Sequence, residues 1–307
     1  MRSAFMDELT RLARLDDRIT LVTGDLGFGV VVKFSEEMPK QFVNAGVAEQ
    51  HMTGLAAGLA LSGKIALTYS IANFPVVRCL EQIRNDVCYH DANVKIVAVG
   101  GGMAYGSLGM THHATEDLAI MRAMPNLVVV APNDPVEAAL ATRAVIEHNG
   151  PCYLRLGRQG EQRVYDTPPD FVLGKAIRVR EGKDLTIVVT GGLLQNALQA
   201  ATQLANDGLT TRVLSMHTLK PFDRDAVMDA ARDTNAVFTL EEHSIVGGLG
   251  GAVAETLLES DVRPRVFRRL GLPGEKFSSK VGDQDYLRRE FGLDAESIAN
   301  TIRTTLQ

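Results

Sequence analysis

The segment Gly46-Val47-Ala48-Glu49-Gln50-His51-Met52-Thr53-Gly54-Leu55-Ala56-Ala57-Gly58-Leu59-Ala60 places one carboxylate at the head of an otherwise apolar stretch. Gly54, Ala56, Ala57, Gly58 and Ala60 are small enough for a helix here to pack close to neighbouring backbone. Burying Glu49 there would raise its pKa and suit it to giving or taking a proton near neutral pH. A plainer reading is a first-turn glutamate favoured by the helix dipole. Further along, His112 stands on the glycine-rich stretch Gly106-Ser107-Leu108-Gly109-Met110-Thr111-His112-His113, where a histidine can reach a bound ligand. His112 and His113 do not read as a metal pair, because adjacent residues rarely hold one ion without further ligands nearby. Asp25 follows a strand-like run, and loops at the carboxyl ends of strands are where open α/β sheets bind ligands; a turn aspartate is its plainer role.

The elements that must hold these side chains follow from the apolar pattern. Ile19–Thr23, Ile65–Tyr69, Val94–Val99 and Leu127–Ala131 are β-branched and bounded by polar residues or glycine, which predicts strands. Helices are expected from Glu49, over Glu116–Met124 and over Val136–His148, the last started by Pro132-Asn133-Asp134-Pro135. Continuous apolar strands separated by helices predict a mainly parallel sheet covered on both faces. Asp166-Thr167-Pro168-Pro169-Asp170 interrupts the pattern, so one domain is expected over 1–165 and a second over 175–307. In the second, strands are expected at Leu185–Thr190, Thr211–Met216, Ala236–Leu240 and Val262–Leu270, with helices at Leu194–Asn206, Asp223–Arg232 and Gly251–Leu258. The fold class is α/β, with two doubly wound domains. Gly247-Gly248-Leu249-Gly250-Gly251 lacks the spacing of a dinucleotide loop, since Val253 falls on the third glycine position, and close backbone packing is its expected role.

Composition narrows the function classes. The 307 residues, 45% hydrophobic and 22% charged, suit a globular enzyme with a sizeable core. A net charge of -5 gives no electrostatic reason to expect nucleic acid or an anionic membrane. Cys79, Cys88 and Cys152 lie far apart and read as buried small hydrophobes in a reducing, cytoplasmic setting. The N-terminal stretch carries Arg2, Asp7, Glu8, Arg11 and Arg14, which predicts an amphipathic helix and not a signal peptide; no run of 18 apolar residues spans a membrane.

The pattern G-V-A-E-Q-H-M-x-G-x-A-A-G-L-A resembles the segment that carries the catalytic glutamate in the pyrimidine-binding domain of transketolase-type, thiamine-diphosphate-dependent enzymes. The resemblance extends over nearly the whole chain, the first domain resembling the pyrimidine-binding domain and the second the family's C-terminal domain. It implies that Glu49 hydrogen-bonds the N1′ nitrogen of the aminopyrimidine, with Gln50 beside it at the cofactor. It implies that Phe74, in Ser70-Ile71-Ala72-Asn73-Phe74-Pro75, stacks on that ring and that Arg78 faces the site, as against a core phenylalanine and a surface arginine. Asp25-Leu26 resembles the pair that reaches the cofactor across a subunit interface. Thr111-His112-His113 is similar to the family's Thr-His-Gln, which implies that His112 contacts the substrate. Arg158 matches the arginine that pairs with the substrate phosphate, a task suited to a two-pronged guanidinium, with Arg155 the alternative in a shifted register and a solvated arginine the plainer role.

Three departures refine the expectation. The family's Gly-Asp-Gly…Asn motif, which holds magnesium, is missing; Gly282-Asp283-Gln284 is the nearest match and lies in the wrong domain. The resemblance therefore implies the second subunit of a split enzyme, inactive alone and working as α2β2 with an N-terminal diphosphate-binding subunit that holds the Mg²⁺, no metal being held by this chain. Leu108 stands where an aspartate recognises a sugar hydroxyl, and a second family histidine falls on Gly100. Ordinary pentose phosphates are thereby put in doubt, and the expected substrate is a sugar phosphate or another anionic sugar. The reaction implied is transfer of a two-carbon ketol unit from a ketose to an aldose. The alternatives are a decarboxylating relative (the β subunit of a 2-oxoacid dehydrogenase, or a deoxyxylulose-phosphate-synthase-like enzyme) and a decayed, non-enzymatic partner. His217–Asp223 and Glu241-Glu242-His243 resemble turns of the C-terminal domain and are assigned no chemistry.

Overall fold

The apolar runs become strands of two sheets in the computed structural model, which describes residues 1–27 and 29–307. The first unit contributes β1 (Ile19–Thr23), β2 (Phe42–Asn44), β3 (Ile65–Ile71), β4 (Val94–Val99), β5 (Val128–Val130) and β6 (Cys152–Leu156). The second contributes β7 (Ile177–Arg180), β8 (Leu185–Thr190), β9 (Thr211–Ser215), β10 (Thr218–Lys220), β11 (Ala236–Ser244) and β12 (Val266–Leu272). The larger sheet has the order β10-β5-β6-β4-β3-β1-β2 and the smaller β12-β11-β8-β9-β7. Strand pairs are parallel except β10 with β5 and β7 with β9. Every residue of β1, β4 and β8 is buried, as continuous apolar runs covered on both faces require.

β10 is an exchange between the units. It follows the second unit's β9 in the chain, yet Thr218 pairs with Val130 at the edge of the first sheet, and the Ala131 N–H donates to the His217 carbonyl at 2.7 Å. Three residues that stop just before Pro221 are too short to show a strand period, so this stretch resembles a turn in sequence. Apolar side chains from both units, among them Leu127, Val129, Leu214, Met216 and Leu219, share one core.

Glu241-Glu242-His243 is likewise strand and not turn. All nine residues of β11 are buried: N–H groups of the first unit's Met103 and Ala119 donate to Glu242 and His243, and the second unit's own Leu249 and Gly250 N–H groups donate to Glu241. β12 starts at Val266, later than expected, since Pro264 has no N–H to give a ladder. Two further helices, Gln284–Glu290 and Ala295–Leu306, complete the second unit, started by Asp283 and Asp294, whose carboxylates accept from the Tyr286 and Ser297 N–H groups. The latter helix buries Ile298 and Ile302, each contributing about 2 kcal/mol. The expected N-terminal amphipathic helix is present over Arg2–Ala13, burying Phe5, Met6 and Leu9, and Cys79, Cys88 and Cys152 are buried free thiols. Gly248 and Gly250 pack tightly, as expected: a Cβ on either would overlap Glu241 and Arg269 respectively.

Candidate active site

The order β2-β1-β3-β4-β6 sets five strand ends side by side, and parallel strands deliver their loops to one edge of the sheet. β1 ends in Gly24-Asp25, where Asp25 adopts a left-handed φ of 57°. Asn44, at the end of β2, clamps that turn. Its Nδ2 donates to Asp25 Oδ1 at 2.9 Å, and its Oδ1 accepts from the Asp25 and Gly46 N–H groups at 3.0 Å each. Asp25 and Leu26 are half-buried in this turn.

The helix Glu49–Leu61 begins directly after the clamp, with no side-chain cap from Ala48 and with Glu49 in its first turn. The Glu49 side chain is 3% exposed, and its Oε2 accepts from Arg78 Nη1 at 2.7 Å. Burial disfavours a charged carboxylate, whereas a guanidinium at hydrogen-bond distance favours it. Gln50, about 100° further round the helix, is exposed.

Arg78 closes a π-helical turn, Phe74–Arg78, that follows β3; such turns recur at functional sites. Its guanidinium carbon lies 4.9 Å over the Phe74 ring. One planar group thus donates an N–H to Glu49 and covers Phe74. Asn73 Nδ2 donates to the Thr111 carbonyl at 2.7 Å and ties this turn to the loop after β4. On that loop His112 meets Phe74 edge-on, with ring centroids 5.2 Å apart, and its Nδ1 lies 3.0 Å from Thr111 Oγ1. Tyr105 lies 6.4 Å from His112 on the other side, and the guanidinium of Arg158, which follows β6, stands 4.8 Å over the Tyr105 ring. Glu49, Arg78, Phe74, His112, Tyr105 and Arg158 therefore form one continuous run. Tyr105 was not singled out from the sequence; the unusual Gly100 five residues earlier was the available signal.

Leu108 is 54% exposed on the short turn Gly106–Leu108, with Met110 also exposed beside it. His113 points inward and is buried, with Nε2 3.5 Å from the Gly106 carbonyl. Arg155 is sequestered: its guanidinium donates to Asp117 Oδ2 at 2.9 Å and to the Ala114 and Glu242 carbonyls at 2.9 and 3.0 Å.

The second unit braces the loop that carries His112. Glu242 Oε1 accepts from the Met103 N–H at 2.6 Å, and its Oε2 pairs with Arg288 at 2.6 Å. Glu241 caps the helix Leu249–Leu258, accepting from the Leu249 and Gly250 N–H groups at 2.7 Å, while burial pushes its carboxyl up to about 7. Burial lowers neighbouring His243 to about 4, and its Nε2 accepts from the Ala119 N–H. A cleft of about 890 Å³ opens between Phe74, Arg78 and Thr111 on one side and Pro273, Lys276 and Phe277 on the other.

Residues 1–162 match the family model described as transketolase, pyrimidine binding domain, and residues 174–298 match transketolase, C-terminal domain. The chain belongs to the transketolase family. It is 41% identical to one subunit of the apulose-4-phosphate transketolase of Phocaeicola vulgatus, over 98% of this chain and 95% of that one. It is 41% identical to the 6-deoxy-6-sulfo-D-fructose transketolase subunit SqwH of a Clostridium strain, over 97% of this chain and 92% of that one. A solved structure described as a split-gene transketolase in an inactive β4 tetramer superposes with a TM-score of 0.89 at 36% identity, covering 99% of this chain and 97% of that chain. The chain is the pyrimidine-binding subunit of a split, thiamine-diphosphate-dependent transferase that works with an N-terminal partner subunit. These two relatives, of about this chain's length, are transketolase subunits, which favours ketol transfer over the decarboxylating alternative. Among the described residues no helix is long and apolar enough to cross a membrane.

Proposed function

We propose that Glu49 and Phe74 bind the aminopyrimidine of thiamine diphosphate, and that Arg78 occupies that place until the cofactor arrives. The observation that carries this reading is the Arg78 guanidinium, a planar N–H donor that hydrogen-bonds Glu49 and covers Phe74 at once. An aminopyrimidine likewise offers a flat π-face, and its ring-edge N1′ accepts from a protonated Glu49 where the guanidinium donates to the carboxylate, so the residues present fit the group. Bound thiamine diphosphate supplies a nucleophilic carbon that carries the two-carbon unit between sugars.

The chain's own residues do the rest. Glu49, shielded from water, holds a proton on its carboxyl for the N1′ nitrogen once Arg78 has left Oε2. Phe74 presents the stacking face, and Asp25 and Leu26 from the end of β1 and Gln50 from the helix that carries Glu49 line the approach. His112, set edge-on to Phe74, contacts the sugar near the reacting carbon. Arg158 pairs with the anionic end of the substrate, and Leu108 faces the sugar with an apolar side chain that reads no hydroxyl. Neither sugar in the relatives' names is xylulose 5-phosphate or ribose 5-phosphate; one carries a phosphate and the other a sulfo group, both anions that suit arginine. The diphosphate and Mg²⁺ belong to the partner subunit in an α2β2 assembly, because the chain lacks the Gly-Asp-Gly…Asn motif. The domain limits that fit this division are 1–165 and 175–307, and the buried free thiols suit a cytoplasmic enzyme.

Calorimetry with thiamine diphosphate and Mg²⁺, on the chain alone and with a partner bearing that motif, tests the proposal together with a ketol-transfer assay. Tight binding and turnover are expected only for the pair. Tight binding to this chain alone, or a pair that transfers no ketol unit, would overturn it.

A further inference from the structure

Tyr105 lies between the two residues that address opposite ends of the substrate. Its ring is 6.4 Å from His112 and carries the Arg158 guanidinium 4.8 Å over its face. Among the described residues Arg158 has no hydrogen-bond or ion-pair partner, so the aromatic face is what holds its charge in place while its N–H donors stay free. The ring is itself held. Gly100 has a φ of 84°, and a Cβ there would overlap the Tyr105 ring, so the tyrosine fills the space that a side chain at position 100 would take. The Gly106 N–H donates to the Met103 carbonyl at 2.8 Å, the Met103 N–H is held by Glu242, and Gly106 lies against Leu287 and Gly282. The second unit thus fixes the loop from behind.

We propose that Tyr105 is a positioning residue that fixes Arg158 for the anionic end of the substrate and, by filling the space above Gly100, determines which anionic sugars this subunit accepts. The proposal rests on the role given to Arg158 above. The chemistry recognised is a tetrahedral oxyanion, phosphate or sulfonate, at the end of the sugar remote from the reacting carbonyl.

The test uses the reconstituted pair loaded with thiamine diphosphate and Mg²⁺, in wild-type, Tyr105→Phe and Tyr105→Leu forms. Inorganic phosphate and methanesulfonate are titrated separately by calorimetry, and the tighter of the two identifies the anion. Its affinity is expected to fall about tenfold in Tyr105→Leu and to stay within about twofold in Tyr105→Phe, which keeps the ring face. In turnover, KM for ribose 5-phosphate as acceptor should rise about tenfold in Tyr105→Leu with kcat within about twofold, while KM for uncharged glycolaldehyde stays unchanged. Tyr105→Met, of similar bulk without a ring, repeats the test if the leucine variant does not fold. Unchanged anion affinity in the ring-less variants, or equal losses with charged and uncharged acceptors, would overturn the proposal. A wild-type pair that transfers no ketol unit would instead refute the transketolase role, and the anion titrations would still decide the part played by Tyr105.

Discussion

Arg78 donates to Glu49 across 2.7 Å, yet the two side chains differ sharply in environment: the carboxylate is 3% exposed and the guanidinium 49%. The pair is therefore asymmetric. Removing the arginine strands a buried charge, whereas neutralising the glutamate leaves a guanidinium that water can solvate.

Arg78→Ala is accordingly expected to destabilise the isolated chain by about 1–2 kcal/mol, below the value for a fully buried pair because one partner meets solvent. Glu49→Gln should change stability by no more than about 0.5 kcal/mol. Scanning calorimetry at neutral pH compares them. The melting temperature should fall by a few degrees for Arg78→Ala and barely move for Glu49→Gln; equal shifts would contradict the asymmetry.

How much of this was legible in the sequence depended on distance along the chain. Glu49 at the head of a small-residue helix was visible locally, as were the buried strands and free cysteines. The contact of Phe74 with His112 was not, because the two residues sit on loops after different strands and meet only through the order β3-β4 in the sheet. β10 was hidden because it satisfies an edge belonging to the other unit, and Glu242-His243 read as turn because Met103 and Ala119, which donate to them, lie more than a hundred residues away. Tyr105 was missed since an aromatic in a glycine-rich loop says nothing alone about the arginine that will lie on it.

His217 gives the seam between the units a pH response. It is buried, stacked 3.9 Å from the Phe171 ring, and burial pushes it down from 6.5 to about 4. Between those values the unfolded chain binds a proton that the folded chain does not, so stability rises with pH there and is lost as pH falls from 6.5 toward 4. At pH 5 the loss from this group is about 2 kcal/mol. Melting curves at pH 7.5 and 5 should show a smaller acid-induced drop for His217→Gln than for wild type. An equal drop in both would mean that His217 does not titrate in this way.

Leu108 is exposed on the loop that precedes His112, and it cannot accept a hydrogen bond from a sugar. A substrate hydroxyl left facing it unpaired costs about 1–3 kcal/mol, roughly ten- to a hundredfold in kcat/KM. In the reconstituted pair Leu108→Asp should therefore raise kcat/KM for xylulose 5-phosphate and ribose 5-phosphate by about tenfold. Efficient wild-type turnover of those sugars with no gain from the aspartate would place hydroxyl recognition elsewhere.

The central claim is that the Glu49 carboxyl activates the cofactor. Glu49→Gln keeps the side-chain volume and the carbonyl acceptor and puts an amide N–H where the carboxyl O–H would be, but has no carboxyl proton to share, so folding and assembly with the partner should survive. The direct measurement is hydrogen–deuterium exchange at the thiazolium C2 of thiamine diphosphate bound to the reconstituted pair, followed by quenched-flow NMR. The exchange rate is expected to fall about 10²-fold or more in Glu49→Gln, the scale of a lost acid–base group. Exchange at the wild-type rate, with the cofactor bound, would contradict the assignment.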